Sequence, residues 1–163
     1  MKTIKLLASV ALAATIAAPS FAADADGTAG AIIIAPLQVA SVTDLYFGTI
    51  APSLTAADTV IVSAAGAKTC GAELTCLTED HTAAQFDVTG EADITYTITL
   101  PTSISLSNGA GGSMTVDSFT GSKASGTLVA GADSFTVGGS LGVAANQATG
   151  SYTGTFTVAV EYN

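Results

Sequence analysis

Apolar and polar residues alternate with a period of two over much of this chain, most cleanly in its last stretch, residues 150–163. There Tyr152, Phe156, Val158, Val160 and Tyr162 fall on one parity, and Ser151, Thr153, Thr155, Thr157 and Glu161 on the other. Such alternation predicts a strand with one face in a core and one in water, running to the penultimate residue of the sequence. The same pattern recurs at Ala84, Phe86 and Val88, and at Ile94, Tyr96, Ile98 and Leu100, with Thr95, Thr97 and Thr99 between them. Pro101 ends that strand, and Ile104 and Leu106 extend it after a kink. Phe135, Val137, Leu141 and Val143 again share one parity. Shorter strands are expected at 44–50, 59–63, 114–116 and 127–130, and the glycine-rich stretches 108–112, 121–126 and 146–150 read as turns and loops. Beyond the first 22 residues no window carries a 3.6-residue period with caps. The pattern predicts an all-β chain of about nine short strands, an antiparallel β-sandwich with Greek-key connections.

Two segments depart from the alternation. Residues 1–22 combine Lys2 and Lys5, an apolar run from Leu6 to Ala18, and small residues in Ser20-Phe21-Ala22, the layout of a secretory signal peptide cut after Ala22. The run falls short of the roughly 20 residues a membrane span needs. The expected product is exported, to the periplasm, the cell surface or the medium, with no membrane insertion after cleavage. Residues 29–39 are almost continuously apolar, with the β-branched triplet Ile32-Ile33-Ile34 followed by Pro36. Pro36 cannot donate to a ladder and pushes the segment towards an edge or a bulge. The chain therefore divides into a leader at 1–22, an N-terminal extension at 23–40 and a sandwich domain at 41–163. The extension completes either its own sheet or that of another molecule.

Charge narrows the partners. Against 13 acidic residues the chain has four lysines and no arginine, a formal charge of −9. Removal of Lys2 and Lys5 with the leader would leave two lysines against those 13 acids, −11. A surface so poor in cations is unsuited to nucleic acid or anionic lipid. Its plain reading is solubility and self-repulsion. The two cysteines, Cys70 and Cys76, predict one disulfide in an exported chain. So short a loop is worth about 2 kcal/mol in the chain-entropy model.

Residues able to carry chemistry are few. The single histidine, His81, stands beside Glu79 and Asp80, with no Gly-x-Ser-x-Gly elbow anywhere to serve it, and reads as a solvated loop residue. Glu73, Glu79, Asp80 and His81 lack the alternation of a calcium loop, and Asp24 and Asp26 are weaker still. The glycines at 109–112 have no Gly-Lys-Ser/Thr behind them to cradle phosphate. Tyr46, Tyr96, Tyr152 and Tyr162 read as core or rim, and the absence of tryptophan argues against a sugar-binding face. The expectation is a protein that is not an enzyme and uses no cofactor or metal.

The closing phrase, from Gly150 through Tyr162, resembles the C-terminal signature of subunits of bacterial chaperone–usher pili. Together with Leu45-x-Phe47-Gly48 it is similar to the spore-coat-U-like, archaic branch. A family of small secreted bacterial Greek-key domains of unknown function is closer still. That similarity spans nearly all of 37–163, through Phe86-Asp87-Val88-Thr89-Gly90, the run from Thr95 to Pro101, and Ala145-Asn146-Gln147-Ala148. The pilin resemblance implies an immunoglobulin-like sandwich lacking one strand, with a groove beside the C-terminal strand. An exported chaperone fills that groove first, and the extension of the next subunit replaces it by β-strand addition. On this chain the implied acceptor edge is Gly150, Tyr152, Phe156, Val158, Val160 and Tyr162. The implied donor knobs are Ala31, Ile33, Ala35, Leu37 and Val39. Ile32 and Ile34 compete for the opposite register. Partners would be a neighbouring subunit and a periplasmic chaperone. The alternative is a self-complemented monomer with a binding or adhesive role. The chain departs from archaic pilins in having no cysteine near the donor segment.

Overall fold

A computed structural model describes residues 23–77 and 80–163. The expected leader at 1–22 and Glu79 lie outside the described residues. The chain divides into two units, Met1–Ile32 and Ile33–Asn163. In the first, residues 23–32 carry no strand, and Ile32 is 93% exposed. The second is an all-β sandwich, with no helix among the described residues.

Among the described residues twelve strands form, more than the nine expected, because several alternating runs are cut by bulges and kinks. Five precede the central hairpins: β1 Gln38–Thr43, β2 Ile50–Ala51, β3 Asp58–Val62, β4 Lys68–Cys70 and β5 Thr75–Cys76. Then come β6 Ala84–Thr89, β7 Thr95–Thr99, β8 Ser103–Ser107 and β9 Ser113–Gly121. The last three are β10 Ser125–Thr127, β11 Ala132–Val143 and β12 Ala159–Tyr162. All pairings are antiparallel. The long β11 organises the larger, seven-stranded sheet: Ala132 to Val137 pair with β6, Gly139 to Val143 with β3, and Val137 to Gly142 with β9. Beyond these lie β1 on β6, β4 on β3 and β8 on β9. The second sheet has the order β10-β7-β12, and β2 pairs with β5. Neighbours far apart in sequence are what crossover connections between two packed sheets produce.

The alternation places the core. One cluster gathers Phe86 and Val88 of β6, Tyr96 and Ile98 of β7, Phe135 and Val137 of β11, with Leu128 and Val158. A second gathers Val60 and Val62 of β3, Val116 of β9, Leu141 and Val143 of β11, with Phe47 and Leu74. Phe86 and Phe135, directly opposite in the β6–β11 ladder, stack with centroids 5.4 Å apart. Such a cross-strand aromatic pair adds about 0.5–1.5 kcal/mol beyond the area it buries. At the margin of the first cluster the Tyr96 hydroxyl donates to Asp133, which also accepts from the Lys123 ammonium at 2.7 Å. A buried phenol is thus left with its polar end satisfied.

Two expectations need correcting. Gln38, Val39 and Ala40, placed in the extension, begin β1 and pair with Thr89, Val88 and Asp87 of β6. Leu37 packs against the first core cluster. The domain thus uses the backbone of Gln38 to Ala40 and the side chain of Leu37, while the side chains of Gln38, Val39 and Ala40 stay exposed. The continuous strand expected at 151–162 is ladder only from Ala159 to Tyr162. Its burial still alternates throughout: Tyr152, Phe156, Val160 and Tyr162 are half-buried, Val158 is buried, and Ser151, Thr153, Thr155, Thr157 and Glu161 are exposed. The neighbouring chain explains the break. Ala159 pairs with Thr99 of β7, and Thr153 bridges Ser107 of β8. Eight residue steps separate Thr99 from Ser107 across the Pro101 kink, against six from Thr153 to Ala159. A ladder cannot stay in register over that mismatch, and residues 154–158 belong to no strand.

Candidate functional site

The break in the last strand opens onto a groove of about 1180 Å³. One wall is the segment 147–156 and the other is 41–50, with Phe86, Ile104, Leu106, Met114, Val116 and Leu141 among the residues between them. The lining is apolar because the inward parities of β6, β8, β9 and β11 all point into this gap. Ile104, Leu106 and Met114 are only half-buried there, although they occupy the core-facing parity of their strands.

Each wall is held by specific contacts. Tyr152 fixes the start of the C-terminal wall: its hydroxyl accepts from Gln147 Nε2 at 2.8 Å and Asn108 Nδ2 at 3.3 Å, and donates to the Ala148 carbonyl at 2.7 Å. Asn108 Oδ1 in turn accepts from the Ala110 and Gly112 amides, which ties the wall to the turn between β8 and β9. Gly150 turns the chain into this wall with φ 150°. Gly154 then lets it run close to β8, since a Cβ there would meet the Ser105 carbonyl at 2.7 Å. Phe156 anchors the far end, 5.1 Å from the Phe119 ring and 5.9 Å from Phe86. Side-chain anchors therefore replace the missing ladder, which leaves the groove-side backbone of 154–156 outside any strand.

The opposite wall is pinned at intervals. Tyr46 and Thr82 exchange backbone hydrogen bonds of 2.9 Å, and Thr82 Oγ1 donates to the Asp44 carbonyl. Its end, Ile50, pairs with Cys76 of β5. The expected disulfide is present, Cys70 to Cys76, joining β4 at the end of the larger sheet to β5. The bridge thus staples a groove wall to the sandwich as well as closing a loop.

The remaining expected residues are spread apart. Ile33 is 95% exposed and Ile34 43%. Ala35, Leu37 and Val39 are engaged by their own domain, as is Tyr162, which hydrogen bonds Ala35. His81 Nε2 lies 3.0 Å from the Gly66 carbonyl, so it is a loop tie in a partly buried setting rather than a freely solvated side chain. No group of three or more His, Cys, Asp or Glu able to hold a metal occurs among the described residues, and none of their helices is long and apolar enough to cross a membrane. Sequence reading missed the groove floor at Ile104, Leu106 and Met114 and the role of Gln147 and Asn108 in fixing its wall. Period-2 alternation marked the first three as inward-facing, but nothing in it says that an inner face is left uncovered.

No curated protein and no solved structure matches the chain. One family does, over residues 37–162, from Leu37 just ahead of β1 to the end of β12, and it is described as a domain of unknown function, DUF4402. The chain belongs to this DUF4402 family.

Proposed function

We propose that this protein is an exported, non-enzymatic structural subunit, pilin-like, that assembles by β-strand donation. The apolar N-terminal segment of one copy, within 29–39, enters the groove beside the C-terminal segment of the next, and a periplasmic chaperone holds the groove beforehand. One observation carries this reading: an apolar groove whose C-terminal wall has, at 154–156, backbone in no ladder. Extended backbone beside an uncovered apolar floor is what an added strand needs, main-chain pairing for affinity and alternate side-chain pockets for specificity. The exposed Ile33 supplies the complementary apolar chain. The test is to purify the exported protein and follow its size over a range of concentrations in mild detergent. Oligomers that persist in detergent, and that Ile33→Asp abolishes without loss of the folded domain, are expected. A protein that stays monomeric at every concentration overturns the reading.

The second reading, a self-complemented monomer with a binding role, draws on a separate observation. Gln38–Thr43 already completes the edge of β6 in its own molecule. It predicts a monomer whose groove takes an unrelated extended peptide.

A further inference from the structure

Ala35 is held at both its backbone groups by residues far away in sequence. Its amide donates to Glu91 Oε2 at 2.9 Å, and its carbonyl accepts from the Tyr162 hydroxyl at 3.0 Å. The same hydroxyl accepts from the Glu91 amide at 2.7 Å, which closes a three-residue ring of hydrogen bonds. The ring needs Gly90 beside it, because a Cβ at that position would lie 2.2 Å from the Tyr162 oxygen. Downstream of the ring the chain is committed to its own domain at once: Pro36 offers no donor, Leu37 packs against the core, and Gln38 starts the ladder with β6. Upstream, Ile34 is 43% exposed and Ile33 95%.

Resting on the strand-donation reading, we propose that the Ala35–Glu91–Tyr162 ring is a branch point that sets how much of the N-terminal segment can be given away. The donated strand is residues 28–34 of a second copy, and Ala35 is its boundary. Donation of Leu37 or Val39 would break both hydrogen bonds that Ala35 makes in the ring, withdraw Leu37 from its packing against the core and unzip β1 from β6. Donation of 28–34 disturbs none of these. The chemistry of that segment suits the groove. Thr28-Ala29-Gly30-Ala31-Ile32-Ile33-Ile34 contains no proline and no charge, in a chain whose copies, once the leader is removed, would repel one another at −11 each. Seven extended residues span about 23 Å, enough to run beside the part of the wall that follows the Gly150 turn, residues 150–156. The segment thus suits the groove in reach and polarity. Within 28–34 the even parity inserts Ile32 and Ile34, and the odd parity Ala29, Ala31 and Ile33.

The full exported chain can test this by cross-linking between copies. A Thr155→Cys copy, whose new thiol sits on the groove wall, is mixed with an Ile33→Cys copy or with a Val39→Cys copy and treated with a short bis-maleimide. The expected product is a covalent dimer from Ile33→Cys, at least tenfold above that from Val39→Cys. Equal cross-linking of the two overturns the branch point and leaves strand donation standing. If neither position cross-links and the protein stays monomeric, donation itself fails and the branch point with it. Tyr162→Phe and Glu91→Ala, each made in the cross-linking backgrounds, open the ring at different points. Both should lower the ratio of Ile33 to Val39 cross-linking at least threefold, with the far-ultraviolet spectrum unchanged. An unchanged ratio in both would show that the ring merely stabilises the domain, and would overturn its positioning role.

Discussion

The ring of Phe156 stands edge-on to that of Phe86, at 79° with centroids 5.9 Å apart, and so ties a segment without a ladder to the centre of the larger sheet. Phe156 also meets Phe119 at 5.1 Å, so this side chain of the C-terminal wall joins β6 and β9. Phe156→Ala should therefore cost about 2 kcal/mol, below the 3–5 of a fully buried phenylalanine because the ring is half-exposed. Urea unfolding measures the loss. Hydrogen exchange should show faster amides at 154–158 while β11 stays protected.

Gly90 and Tyr162 are coupled sterically. Gly90→Ala forces the phenol away from a position 2.2 Å from the new methyl and should destabilise the domain by about 1–3 kcal/mol. In a Tyr162→Phe background the oxygen is gone, so the same substitution should cost less. A double-mutant cycle with an interaction term of about 1 kcal/mol is expected, and strict additivity would contradict the close approach.

Reduction of Cys70–Cys76 should lower stability by about 2 kcal/mol, the entropy of a loop with sequence separation 6. It should also loosen a place outside the loop. Cys76 pairs with Ile50 and Thr75 with Ala51, so the amides of β2 should exchange faster after reduction. Reduction that changes exchange only at 70–76 would show that the bridge does not brace the groove wall.

Stability should depend on pH at both ends through one cluster. Burial, with the hydrogen bond to Asp133 and the charge of that carboxylate added, pushes the Tyr96 phenol well above its usual range. Above a pH of about 10 the unfolded chain gives up this proton while the folded one keeps it, so the contribution is complete below that pH and is lost as pH rises. Burial acts to raise Asp133, but hydrogen bonds from Lys123, the Ser134 amide and Tyr96 outweigh it and hold the carboxyl below the usual range. Its contribution is present above about pH 4 and is lost as pH falls through the folded value. Denaturation midpoints from pH 2 to 11.5 should show both declines. In Tyr96→Phe the alkaline decline should be smaller, and an undiminished decline would assign it to other groups.

Much of this protein can be read along the chain. Alternation at Phe86, Tyr96, Ile98, Phe135 and Val137 picks out core residues, because a side chain's face in a strand follows from its parity alone. The cysteine pair likewise implied its own bond by being the only pair available. Even in the interrupted terminal segment the parity of Tyr152, Phe156 and Val158 held, since burial there comes from side-chain packing rather than from the ladder.

Tertiary structure decided the rest. No local pattern says that Thr99 and Ser107 stand eight residues apart where Thr153 and Ala159 stand six apart, and that mismatch interrupts the strand beside the groove. Residues 29–39 look uniform in sequence because Ile33 and Val39 are equally apolar. Only the fold separates them, by pairing Val39 with Val88 and leaving Ile33 in water. Hydrophobicity reports that a residue favours burial, and the long-range contacts of Ala35 with Glu91 and Tyr162 determine where the domain's own claim on the chain begins.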